Sequence, residues 1–304
     1  MAALALTAAP AGAADADRYV ALGDSYTAAP LVPNQVGTPL GCARSDHDYP
    51  SLVARALGAG AFVDVSCSSA ETKHMTTAQS TPIGTAAPQF DALSAAETLV
   101  TVGIGGNDVG LVGAATTCAQ LGLLAPTGTA CRSHYASPDG DRLVAMIAAT
   151  APRIAAVLQG IRERAPRARI VLVGYPDVLP RSGNGCYPIV PFSPDDVRYF
   201  DGLILQTNAM LAAQAAANGA EFADTYFDSV GHDVCTPPPT RWFEGLVPTA
   251  PAFPLHPNGL GMQSMARSVL RVLSAPRPVA REAVLTKRAI GRTARRAARW
   301  RVRR

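Results

Sequence analysis

After the first 14 residues, no stretch of this 304-residue chain approaches the roughly 20 apolar residues needed to cross a membrane. No C-x-x-C pair and no Cys/His cluster of zinc spacing occurs, so neither a metal nor another cofactor is expected. The G-x-S-x-G nucleophile elbow is missing, and no internal repeat points to a solenoid. Charge is scarce: 16% of residues are charged against 48% hydrophobic, enough apolar material for a large core and too much for disorder in the body.

An excess of base is also missing where it would matter. The formal charge is +4, but residues 277–304 hold 11 Lys/Arg against one acid, which leaves 16 bases and 22 acids, a net of −6, in residues 1–276. The composition is therefore no evidence for a nucleic-acid-binding domain; no nucleic acid is expected as a partner, and any polyanion contact would belong to the tail. Arg292, Arg295, Arg296, Arg299, Arg301, Arg303 and Arg304 could meet anionic lipid or cell-wall polymer, although a solvated tail is the simpler expectation. Residues 1–16 are rich in Ala and small residues and resemble the second half of a secretory signal peptide. The positive n-region is missing, which places the true start upstream or makes Met1 an internal methionine. Six cysteines, Cys42, Cys67, Cys118, Cys131, Cys186 and Cys235, fit export and bridge formation. Many connectivities are open. The simplest is sequential: Cys42–Cys67, Cys118–Cys131 and Cys186–Cys235.

Five β-like runs, Arg18–Gly23, Ala61–Cys67, Thr98–Ile104, Ala168–Gly174 and Ala220–Tyr226, alternate with helical stretches. The clearest of these are Tyr49–Leu57, Asp141–Arg164 (interrupted or kinked at Pro152), Pro194–Asn218 and Asn258–Leu273. Strands apolar on both faces and alternating with helices predict a three-layer α/β/α sandwich around a mainly parallel five-stranded sheet. Long turn-rich insertions, among them 28–48, 110–140 and 227–254, follow strand carboxyl ends, where such folds build substrate pockets. One domain over 17–275 is expected, followed by the basic tail 276–304.

The first run ends in Gly23-Asp24-Ser25, a strand delivering a serine to that edge. Alone this is a weak signal. A serine also needs a base and oxyanion donors. Gly105-Gly106-Asn107-Asp108 closes the third run and offers the Asn107 amide. Cys67-Ser68-Ser69 closes the second and offers the Ser69 N–H, and Leu255-His256-Pro257 places a histidine on a loop before the last helix. With these four ordered blocks the chain resembles the SGNH, or GDSL-type, hydrolases over residues 18–273, and most closely their secreted actinobacterial lipase and esterase branch with three disulfides. The resemblance implies a flavodoxin-like fold with Ser25 as nucleophile and His256 as general base. The Ser25 N–H, Ser69 N–H and Asn107 side chain would form the oxyanion hole. It also implies a secreted monomer acting on an ester or lipid. The alternatives are a carbohydrate acetylesterase of the same fold and a surface-binding protein in which catalysis is secondary or lost.

Two positions depart from the family. Ser69 stands where glycine is usual, and Phe253 stands three residues before His256, where the family's acid is usual. A Ser–His dyad follows, with the backbone carbonyl around Pro254 orienting the imidazole. His232, beside Asp233, is the rival base; its place next to Cys235 suggests loop positioning instead. His47, His74 and His134 read as solvated or rim histidines, and Asp24 and Asp108 as structural, Asp24 as a helix cap.

Overall fold

The computed structural model describes residues 16–181 and 185–276. The signal-peptide-like segment and the basic tail lie outside them, apart from Ala16 and Pro276. Five strands, β1 (Arg18–Gly23), β2 (Ala61–Asp64), β3 (Leu99–Gly103), β4 (Arg169–Val173) and β5 (Glu221–Ala223), form one parallel sheet in the order β2-β1-β3-β4-β5. The chain first builds outward from β1 to β2, then returns to β1's other side and builds away through β3. That reversal leaves a crevice between β1 and β3 at their carboxyl ends, the usual ligand site of this topology.

Alternation along the strands sends side chains to two cores. Val20, Leu22, Val100, Val102, Ile170 and Leu172 face one, and Tyr19, Ala21, Leu99, Val171 and Val173 the other. The connecting helices are α1 (Ser25–Ala28), α2 (Tyr49–Leu57), α3 (Gly106–Val109), α4 (Leu111–Leu124), α5 (Ala130–Tyr135), α6 (Arg142–Arg164), α7 (Pro194–Ala217), α8 (Tyr226–Ser229) and α9 (Gly259–Ser274). Helices α6 and α7 pack together over the first core, and α2 and α9 over the second. The α/β/α sandwich is therefore as the alternation predicts.

The differences are local. Asp141, expected as a helical residue, caps α6 by accepting from the Leu143 and Val144 N–H groups, and α6 runs unbroken through Pro152. The last strand is short because Tyr226 already begins α8. Residues 110–140, expected as a turn-rich loop, instead hold α4 and α5, since Ala, Leu and Gln between Gly110 and Pro126 favour helix. The cysteines pair sequentially, as Cys42–Cys67, Cys118–Cys131 and Cys186–Cys235.

Opposite the crevice, at the amino end of β4, the buried Arg169 holds three elements at once. Its Nε and Nη2 donate to the Glu221 carboxylate at 2.6 and 2.8 Å, and its guanidinium also donates to the carbonyls of Val272, Leu273 and Ala275 at the end of α9. Removing one member of such a pair leaves a buried charge without its partner. Arg169→Ala should lower stability by about 3–5 kcal/mol, read as a lower urea midpoint with unchanged m-value; a loss under about 1 kcal/mol would show that the anchor is dispensable.

Candidate active site

At the end of β1 the backbone comes very close to β3: a Cβ on Gly23 would lie 2.6 Å from the Gly103 carbonyl oxygen, so only glycine fits. Asp24 then caps α1, its Oδ1 accepting from the Tyr26 N–H at 2.9 Å, and Ser25 takes the first helical position. N–H groups in a first helical turn have no intrahelical acceptor and face outward from the helix end. The other Asp24 oxygen accepts from the Tyr175 hydroxyl at 2.5 Å, which in turn accepts from the Gly106 N–H at 2.7 Å, so one tyrosine joins the starts of α1 and α3. Burial pushes the Asp24 carboxyl up to about 7, against the pull of these two donors.

The histidine arrives from the far end of the chain. His256 Nε2 lies 2.8 Å from Ser25 Oγ, and Nδ1 lies 2.8 Å from the Pro254 carbonyl oxygen. A carbonyl can only accept, so the proton is on Nδ1 and Nε2 is free to accept from the serine hydroxyl. Among the described residues no carboxylate meets Nδ1; Phe253 instead sets its ring edge-on to the imidazole at 5.3 Å. Burial holds His256 down at about 4, opposed only by the Pro254 bond.

A network unseen in the sequence fixes this loop. The Leu255 N–H donates to the Glu244 carbonyl and the Glu244 N–H to the His256 carbonyl, both at 3.0 Å, while the Phe253 N–H donates to the Pro30 carbonyl. The buried Glu244 carboxylate accepts from the Asn258 amide at 2.8 Å and the Thr249 N–H at 2.6 Å. Burial opposes its ionisation, but the Thr249 and Ala250 N–H groups and the Asn258 amide outweigh it and hold the carboxyl below its usual range. Asn258 also caps α9. Leu255 itself has φ 61°, a left-handed conformation costly for leucine. The Tyr26 hydroxyl donates to its carbonyl at 2.6 Å. Nothing in the sequence pointed to Glu244; Tyr26, directly after the serine, was in view without a role.

The remaining predicted donors come from the neighbouring strands. Beyond β2 the Val65 and Cys67 N–H groups still donate to Ala21 and Gly23, carrying Ser68 and Ser69 alongside Ser25. Ser69 has φ 65°, which explains a preference for glycine there; its N–H meets no acceptor among the described residues. Asn107 donates through Nδ2 to the Ala70 carbonyl at 2.9 Å and keeps a second amide hydrogen available. Asp108 is structural, as expected, accepting from the Thr72 N–H and hydroxyl. His232 bonds the Thr240 carbonyl and stacks on Trp242, and His74 accepts from the Glu71 N–H.

From Ser25, His256 and Asn107 a cleft of about 900 Å³, its open mouth included, runs between α4 and α7. Its walls are apolar: Leu111, Ala115, Val178, Leu179, Phe192 and Ile204. A serine paired to a neutral imidazole at the switch point of a parallel sheet, opening on an apolar cleft, belongs to an α/β/α hydrolase. The pattern of the GDSL-like Lipase/Acylhydrolase family matches residues 21–264. The chain is 37% identical to Lipase 2 of Streptomyces coelicolor over 269 residues, covering 88% of this chain and 89% of that protein. Among solved structures it resembles an extracellular lipase of Streptomyces rimosus (TM-score 0.70, 26% identity) and a phospholipase A1 of Streptomyces albidoflavus (TM-score 0.69, 25% identity), each match covering 84% of this chain and 98% of the other. The chain belongs to the GDSL-like lipase/acylhydrolase family and is a carboxylic ester hydrolase of the SGNH fold.

Two expectations follow from the geometry. Tyr26→Phe removes the hydroxyl that holds the Leu255 carbonyl and should slow serine labelling by a fluorophosphonate about 10- to 100-fold with the fold intact; an unchanged rate would leave Tyr26 without a positioning role. A His256 that acts as base towards the hydroxyl 2.8 Å away has to be neutral, the form present above its folded pKa. The labelling rate should therefore be lost as pH falls through about 4, not through 6.5. Asp24→Asn should leave that acid limb in place, because Asp24 bonds Tyr26 and Tyr175 and not His256.

Proposed function

We propose that this protein is a secreted lipase that cleaves acyl esters through a Ser25–His256 dyad. The observation that carries this is His256 bridging Ser25 Oγ and a backbone carbonyl at the head of an apolar cleft. Ser25 Oγ attacks the ester carbonyl carbon while His256 Nε2 takes its proton. The oxyanion is held by the Ser25 and Ser69 N–H groups and the Asn107 amide. Collapse expels the alcohol, protonated by His256, and leaves an acyl-Ser25. Water, deprotonated by His256, then attacks the acyl carbon, and the carboxylic acid leaves as Ser25 recovers its proton. The Pro254 carbonyl holds the imidazole tautomer and steadies the transient imidazolium.

The apolar walls favour a long acyl chain over the polar ring of an acetylated sugar. The names lipase and phospholipase A1 on its relatives agree with a lipid substrate. Three disulfides and a signal-peptide-like segment support export, as does the extracellular lipase among its structural relatives.

Fluorophosphonate labelling of the purified chain, abolished by Ser25→Ala, is the decisive experiment; labelling that persists in that variant removes Ser25 as nucleophile. Asn107→Ala should reduce turnover by about 100- to 1,000-fold. In a chain-length series of p-nitrophenyl esters the parent should prefer long acyl groups, and Ala115→Phe, which fills the cleft, should move the optimum to shorter ones. A parent that prefers acetate, or acts best on an acetylated sugar, would replace lipase with acetylesterase.

A further inference from the structure

Helix α4 breaks the pattern of a surface helix. Its buried side packs through Ala114, Ala115, Cys118 and Ala119, but its outer side shows Val112, Thr116, Gln120 and Leu123 at a helical spacing with no charge among them. Surface helices normally turn charged and polar residues outward, and a helix apolar all round is normally buried. Leu124 is 87% exposed, Leu123 58% and Val112 44%.

Neighbouring segments adjoin this helix. Residues 111–130, 185–193 and 245–253 contain no Asp, Glu, Lys, Arg or His. They adjoin one another: Gly122 lies so close to the Pro191 carbonyl that no side chain would fit, and Gly245 faces Val190 and Ile189. Ile189 and Val247 are both exposed. The platform is held in place by the Cys118–Cys131 bridge and by the Asp196 carboxylate, which accepts from the Cys131 and Arg132 N–H groups at 3.0 Å.

We propose that the exposed apolar side chains here, Val112, Leu123 and Leu124 of α4 with Ile189 and Val247 on the adjoining segments, lay the enzyme on a lipid surface of no net charge. The inference rests on the lipase reading and adds where the substrate enters. Val112 and Thr116 belong both to the stripe and to the cleft wall, so the uncharged outer side of α4 reaches the path to Ser25. A protein partner seated there, such as a second copy of this chain, would close that entrance, whereas a lipid layer supplies what passes through it. The α4 stripe, Ile189 and Val247 carry no base, so attachment through them comes from apolar burial and is insensitive to salt.

The test uses the full chain carrying Ser25→Ala, which spares the probe, with phosphatidylcholine vesicles at high ionic strength to screen the Arg-rich C-terminal segment. It should sediment with the vesicles, and the pair Leu123→Asp and Leu124→Asp should cut the bound fraction at least about tenfold. In the chain that keeps Ser25, the same pair should slow hydrolysis of an emulsified long-chain ester by a similar factor. Soluble p-nitrophenyl acetate turnover should stay unchanged, which also reports an intact fold. Val247→Asp, on a separate loop, should act in the same direction. Equal binding of parent and variants, no binding by the parent, or a dimer dissolved by these substitutions would overturn the proposal. If vesicle binding behaves as expected but the chain with Ser25 hydrolyses neither ester, the docking face stands and the lipase reading falls.

Discussion

In the proposed dyad, the hydrogen bond from His256 Nδ1 to the Pro254 carbonyl has to do with a dipole what a serine triad does with a charge, and that places a demand on the surrounding loop. A carboxylate attracts an imidazolium over a distance and tolerates small errors of direction. A single carbonyl dipole weakens faster with distance and angle, so the backbone carrying it has to be held still. Residues 253–258 are fastened accordingly: by Pro30 at one end, by the paired bonds with Glu244 in the middle, by Asn258 at the start of α9, and by Tyr26 reaching across from the nucleophile's own helix. The left-handed Leu255 costs about 1–2 kcal/mol. It survives because its N–H and C=O both have partners.

The same economy of backbone runs through the proposed oxyanion side. Ser25, Ser69 and Asn107 come from three strands that are neighbours in the sheet, β1, β2 and β3. Their approach is set by close packing: Gly23 against Gly103, and Cys67 beside Gly23 with its bridge to Cys42 immediately ahead of Ser68. Tyr175 ties the Asp24 cap to Gly106, so the nucleophile turn and the Asn107 turn cannot drift apart independently.

Much of this was legible in the sequence, and the limits follow from what sequence encodes locally. Alternating apolar strands and helices declare a three-layer fold, and Gly23-Asp24-Ser25, Gly106-Asn107 and His256 declare themselves because each needs a special residue at a strand or helix end. Phe253 in place of an acid already implied a main-chain orienter. Glu244 was invisible because a lone buried carboxylate has no periodicity or spacing to reveal it; its partners Thr249 and Asn258 are contacts of the folded loop. Helix α4 was read as loop because Gly110 and Pro126 bracket it with turn signals, and because its apolar residues are spread around it and lack the one-sided stripe by which an amphipathic helix is recognised. The feature that hid the helix is the one that makes its surface unusual.

A neutral orienter and an apolar approach also suit each other energetically. A buried carboxylate beside the histidine would pay a desolvation penalty each time a lipid layer displaced water from the cleft mouth. The proposed dyad carries no formal charge at rest, since His256 is held neutral down to about pH 4. Excluding water then leaves the resting site nearly unaffected, while it strengthens the donors aimed at the oxyanion, whose field is less screened in a dry cleft. The imidazolium of the proposed transition state is the one species that suffers, and its compensation is local: the oxyanion at the serine's carbonyl adduct is its counter-charge, and the Pro254 carbonyl is a fixed dipole beside it. In the proposed mechanism, replacing the acid by backbone thus moves the electrostatic burden from the resting enzyme to the ion pair that exists only during reaction, where stabilisation accelerates turnover.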